Sequence, residues 1–170
     1  MTPVDGNLSP KPHKSPLPQQ TTFGAGFTIY KDWELSVELN LQANELENGH
    51  RNILQLMIPG NEDPQLGGRL PAVYQSPKSS GNKLLIFAHV NGPNTLVQTA
   101  DLTPGWHWLK IANRVNECGT FMYSISIDGD QVHLVENNTP QVFKNVNAYL
   151  SNSYKTNGAL GSFRNFRFES

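Results

Sequence analysis

The side chains best suited to recognition fall in three turn-rich stretches, Asn61–Arg69, Asn91–Asn94 and Asn113–Asn116. Arg69 and Arg114 carry planar forks of N–H donors, and Asn91, Asn94 and Asn113 carry amides that both donate and accept. Such groups suit a hydroxyl-rich ligand, and loops on a rigid frame are where binding usually sits. His89 closes a strongly apolar run two residues before Asn91 and joins the set. A different arrangement is the pair Glu34 and Glu38, separated by Leu35-Ser36-Val37. Strand alternation puts Glu34, Ser36 and Glu38 on one face. Two carboxyl groups about 5–5.5 Å apart serve retaining glycoside hydrolysis. Four strand steps span roughly 13 Å, so these two would have to lean together. Ser36 brings no charge between them to drive their pKa values apart.

Other chemistries find less support. Histidines 13, 50, 89, 107 and 133 show no ligand spacing, so zinc is not expected. Cys118 is the only cysteine, which excludes an intrachain disulfide, and its neighbours Glu117 and Gly119 do nothing to activate a thiol. No cofactor is expected. The formal net charge is -1, from 13 Lys+Arg against 14 Asp+Glu, and the Arg164–Arg167 pair is too small for a nucleic-acid footprint. No Gly-rich phosphate loop leads from a strand into a helix. No run approaches the roughly 18 consecutive apolar residues of a membrane span, so membrane insertion is not expected.

The elements that must position these residues are strands. A chain of 170 residues is one domain's worth, and 16% charged residues with 14 Gly and 12 Pro point away from helical bundles. Met1–Gln20 holds Pro3, Pro10, Pro12, Pro16 and Pro18 and reads as a disordered leader or linker, leaving a folded domain over 21–170. Trp33–Leu41 and Phe121–Ile127 alternate apolar with polar residues, as half-buried strands do. Lys83–Val90 is nearly continuous in apolar residues and predicts a central strand covered on both faces. Further strands are expected at Phe23–Tyr30, Asn52–Ile58, Leu70–Tyr74, Trp106–Ala112, Gln131–Val135, Val142–Leu150 and Phe163–Phe168. Asp128-Gly129 between two alternating runs is a hairpin signal, and only Gln42–Gly49 has helical character. The sum is an all-β, two-sheet antiparallel jelly-roll sandwich.

Gly105-Trp106-His107-Trp108-Leu109-Lys110-Ile111, the strand ending in Asp128-Gly129, and the closing Gly158–Phe166 segment resemble, in that order, a laminin-G-like domain over roughly 102–170. The resemblance implies the concanavalin A-like lectin/glucanase architecture, and it makes Trp106 structural. It also implies a calcium site on rim loops, for which Asp63 and Asp101 are loop candidates, although a hard cation takes about six to eight oxygens and two separate Asp residues do not make that set. A core role for Trp106 and Trp108 together is expected over an aromatic platform. Glu34–Glu38 resembles the Glu-x-Asp-x-Glu strand of jelly-roll glucanases, which implies nucleophile and acid/base roles for Glu34 and Glu38, with Ser36 in place of the middle Asp. His89-Val90-Asn91 is similar to the galectin His-x-Asn pair, but Pro93 stands where a galectin has Arg. The expected function is therefore a non-catalytic recognition or adhesion module, not an enzyme. It would bind a glycan or an extracellular protein through Arg69, His89, Asn91, Asn94, Asn113 and Arg114, in multiple copies or within a larger chain. Two alternatives stand beside it: a glycoside hydrolase using Glu34 and Glu38, and a purely structural domain of an assembly. The resemblance places the chain outside the cell, supported by the acceptor pattern Asn137-Asn138-Thr139; the cytoplasm stays open because Met1–Gln20 lacks a signal core.

Overall fold

The alternation over Trp33–Leu41 is realised as a strand in which Trp33, Leu35, Val37, Leu39 and Leu41 are buried while the residues between them are half-exposed. In the computed structural model the described residues are 4–7, 21–43, 45, 47–61, 67–92, 94–150, 157–158 and 161–170. The strands in chain order are β1 (Val4–Asn7), β2 (Thr21–Ile29), β3 (Trp33–Leu41), β4 (Arg51–Met57), β5 (Ala72–Gln75), β6 (Leu84–Ala88), β7 (Thr95–Gln98), β8 (Gly105–Val115), β9 (Phe121–Ile127), β10 (Asp130–Glu136), β11 (Phe143–Leu150), β12 (Asn157–Gly158) and β13 (Gly161–Glu169). They form a six-stranded sheet, β1-β13-β3-β8-β9-β10, and a seven-stranded sheet, β2-β11-β4-β5-β6-β7, with β12 pairing in parallel to β4. All other pairings are antiparallel, as the jelly-roll expectation requires.

The inner faces meet over a core that includes Leu35, Leu39, Ile53, Leu56, Ile86, Ile111 and Ile125. Each such side chain contributes about 1.5–3 kcal/mol of burial. Trp33 stacks on Phe168, linking β3 to the last strand. Left-handed backbone falls on Asp128 and Gly129 in the β9–β10 hairpin, as a tight two-residue turn demands. Asn145 and Asn165 also take positive φ, each beside a register shift, and asparagine tolerates that region better than branched residues.

Three sequence expectations change. The described residues of Gln42–Gly49 carry no helix; the one helical turn among the described residues is a short 3-10 segment at Lys78–Ser80. Val4–Asn7, within the proposed leader, pairs with β13 at the sheet edge, and the leader's remaining residues lie outside the described ones. Trp106 and Trp108 are not core: they are 43% and 52% exposed, because His107 takes the inward position between them. No helix among the described residues is long and apolar enough to cross a membrane.

Candidate functional site

The six proposed binding residues divide among three places. Arg69 and Asn94 come together on the outer face of the seven-stranded sheet, with Arg69 Nη1 donating to Asn94 Oδ1 at 2.8 Å. The guanidinium lies over the Phe87 ring, 4.3 Å from its centroid, and 5.9 Å from that of Tyr74. The two rings meet edge to face at 5.6 Å. Register explains the cluster. Ala72 pairs with Phe87 and Tyr74 with Leu85, while Val73 and Ile86 belong to the core. Tyr74 and Phe87 are therefore diagonal neighbours on the outward side. The loop carrying Arg69 is tied down by Gln55, whose Nε2 donates to Gly68 O at 2.5 Å. Among the described residues no carboxylate pairs with Arg69.

His89 and Asn113 go elsewhere, lining a cavity at one end of the sandwich with Asn137 and Phe143. Its room for water is about 20 Å³, near a single molecule. Burial pushes the His89 imidazole down, and its Nδ1 has no partner. Asn113 is buried, giving Nδ2 to Lys31 O at 2.5 Å and accepting Asn137 Nδ2 at 3.1 Å. The acceptor pattern at Asn137 is thus consumed by the fold, since the amide a glycan would need is buried and bonded. Asn91 is a tie between loops, bonding Glu136 O at 2.5 Å and the Asn138 N–H at 2.6 Å.

Arg114 belongs to a third place, the outer face of the six-stranded sheet, where Glu34 and Glu38 also lie. It pairs with Asp32 at 2.6 Å and with Glu34 at 3.4 Å. Glu34 also receives Lys110 at 2.9 Å. Glu38 is held by Asn165 at 2.6 Å and by Arg164, whose Nε and Nη2 both sit at 2.7 Å. The amide and guanidinium hydrogen bonds keep the Glu38 carboxyl below its ordinary range. A glycosidase needs one carboxyl held protonated, with a raised pKa. Glu38 moves the wrong way for that role.

The remaining candidates are quickly placed. Asp101 is exposed and sits against Gly81, and Asp63 lies outside the described residues. Among the described residues no group of three or more His, Cys, Asp or Glu side chains could hold a metal ion. Cys118 is exposed at the tip of the β8–β9 hairpin, where Asn116 Oδ1 accepts the N–H groups of Cys118 at 3.0 Å and Thr120 at 2.9 Å.

Tyr74, Phe87 and Gln55 were missed from sequence. Phe87 sits inside an apolar run read as covered on both sides, and no local signal distinguishes its outward face. The available hint was Tyr74, a phenol in a strand otherwise made of Ala, Val and Gln.

No family model matches this chain, and no curated protein does. Solved structures do. The heptameric SAP-like pentraxin from Limulus polyphemus matches with a TM-score of 0.64 at 9% identity, over 96% of this chain and 74% of that one. Endo-β-1,4-glucuronan lyase from the fungus Trichoderma reesei matches at 0.57 and 14%, over 99% of this chain and 80% of that one. The alginate lyase AlyC3 matches at 0.52 and 9%, over 81% and 64%. At these identities the likeness is one of fold. The expectation that the chain is not an enzyme is overturned by them: it rested on reading the frame as a recognition module, and two polysaccharide lyases are built on the same frame. The chain is a two-sheet antiparallel jelly-roll sandwich of the architecture these proteins share.

Proposed function

We propose that the chain acts on an acidic polysaccharide, engaged across the outer face of the seven-stranded sheet. The observation that carries this reading is Arg69: a guanidinium fixed over Phe87, backed by Asn94, with no acidic partner among the described residues. Arg114 and Arg164, by contrast, face carboxylates. A planar cation held without a counter-charge suits the carboxylate of a uronic acid. The neighbouring aromatic edges suit the apolar face of a sugar ring. The glucuronan and alginate lyases among the structural neighbours support the same substrate class, and the laminin-G-like order of motifs over 102–170 fits a glycan-directed frame.

A second reading adds cleavage. In β-elimination the uronate carboxylate is neutralised, the adjacent C–H proton leaves to a base, the C–O bond to the next sugar breaks, and a double bond forms while the leaving oxygen takes a proton. Arg69 and Asn94 serve the first step, and Tyr74, the phenol beneath the same guanidinium, is the proton carrier this geometry offers. One experiment reads both. Electrophoresis through gels containing glucuronan or alginate should retard the protein. Arg69→Ala should weaken retardation about 10- to 100-fold, the worth of a charge-assisted hydrogen bond. Ultraviolet absorbance of new double bonds, lost in Tyr74→Phe, would establish the lyase. Unretarded wild type on both polymers would remove the proposal.

A further inference from the structure

The outer face of the six-stranded sheet has a different character. Along β8 the outward residues are Trp106, Trp108, Lys110 and Arg114, and the β3 register sets Asn40 beside Trp106 and Glu38 beside Trp108. Arg164 lies over the Trp106 ring at 4.1 Å while bonded to Glu38, so that indole is held in one orientation. Trp108 is fixed through its backbone, its N–H donating to Asp128 Oδ1 at 2.8 Å, and its indole is 52% exposed. In the rows beyond, Ser36 and Ser126 flank Lys110, with Arg167 beside Ser36, and Ser124 lies beside Ala112, so hydrogen-bonding side chains border the aromatic pair.

We infer that Trp106 and Trp108 form a second glycan site, a platform for a neutral polysaccharide on the side of the sandwich opposite Arg69. Charge selects the occupant. Arg167, set beside Ser36 by the β13 register, is a cation of this face with no carboxylate partner among the described residues. Asp32 and Glu34 end on Arg114, Glu34 also on Lys110, and Glu38 on Arg164, so the charges bordering the indoles answer one another. A neutral sugar chain meets that condition. Its rings present apolar C–H faces to the indoles and hydroxyls to the surrounding amides and serines. A second copy of the chain fits less well. The two indoles expose roughly 100 Å² each, against about 800 Å² per partner in a stable dimer with an apolar centre.

The test is sedimentation with insoluble cellulose and chitin. Wild type should be retained on one of these neutral polymers at low and high salt. Trp108→Ala should lose at least tenfold in affinity, Trp106→Ala should also weaken, and Arg69→Ala should bind as wild type does. Both indoles are exposed, so the variants keep the core, and a thermal melt matching wild type verifies this. Equal retention of Trp108→Ala and wild type would overturn the site, as would no retention of wild type on either polymer. A wild-type dimer that Trp108→Ala converts to monomer would assign the face to self-association instead. Because Arg69→Ala is silent here and decisive with acidic polymers, failure of one proposal is separable from failure of the other.

Discussion

Among the described residues Tyr123 is the largest side chain with no exposure at all, and its hydroxyl has no partner. It packs 6.4 Å from Trp33 and edge-on to His133 at 6.0 Å, and burial pushes the phenol well above its ordinary pKa. A buried hydroxyl without a partner costs about 1–3 kcal/mol. Tyr123→Phe keeps the ring and removes that group, so its melting temperature should equal or exceed that of wild type in calorimetry. A fall of several degrees would mean that the hydroxyl holds a buried water. The same scale shows what residue types alone reveal. Glu34 and Glu38 were legible as two carboxylates on one face, and the structure keeps them there. What neutralises Glu38 was not legible, because Arg164 is 126 residues away and meets it only through the β13–β3 register. Arg69 was legible as a donor for the same reason that its stacking on Phe87 was not: type is local, partners are not.

At the scale of elements, the β9–β10 hairpin is clamped to β8 by one side-chain pair. His107 Nδ1 and Nε2 lie 2.7 Å from Asp128 Oδ2 and Thr103 O, two acceptors, which requires both nitrogens to carry protons. Burial alone would lower the imidazole pKa, but the bonds to Thr103 and Asp128 outweigh it and raise it above 6.5. Burial likewise raises Asp128, and the His107 and Trp108 hydrogen bonds more than reverse this, holding it below 3.8. A raised histidine stabilises fully below its unfolded pKa and loses that contribution as pH rises through the folded value. A depressed aspartate stabilises above its unfolded pKa and loses it on acidification. The clamp is therefore strongest between about pH 4 and 6.5. The melting temperature of Asp128→Asn should fall furthest below wild type in that window, and the gap should narrow above it. A constant gap from pH 5 to 9 would show that His107 is uncharged. This hairpin was readable because Asp-Gly and the flanking alternation are contiguous. Which side of β8 faces inward was not readable: Trp106 and Trp108 on one side, and His107 and Leu109 on the other, both look fit for a core. The decision comes from Asp128 and Thr103, which satisfy the histidine and leave the tryptophans outside.

The whole molecule presents two faces with opposite electrostatics. One carries Arg69 with no carboxylate partner among the described residues; on the other, the charges bordering the indoles are paired and the indoles open. Salt screens the first and hardly touches the second. Raising ionic strength from low to physiological and beyond should steadily weaken retention on alginate or glucuronan and leave retention on cellulose or chitin nearly unchanged. Parallel salt dependence in both assays would mean that one surface serves both polymers. Fold class was legible at this scale, because alternation, turn chemistry and low charge all point to two packed sheets. The Arg69 cluster was not, since it joins a loop before β5, outward positions of β5 and β6, and a loop before β7. Cys118 has a practical consequence. A lone thiol on a hairpin tip braced by Asn116, beyond the Arg114 end of β8, accepts a maleimide label or tether at the opposite end of that strand from Trp106 and Trp108. The protein can be anchored to a sensor chip by that one atom in a single orientation, leaving the indole pair free for measurement.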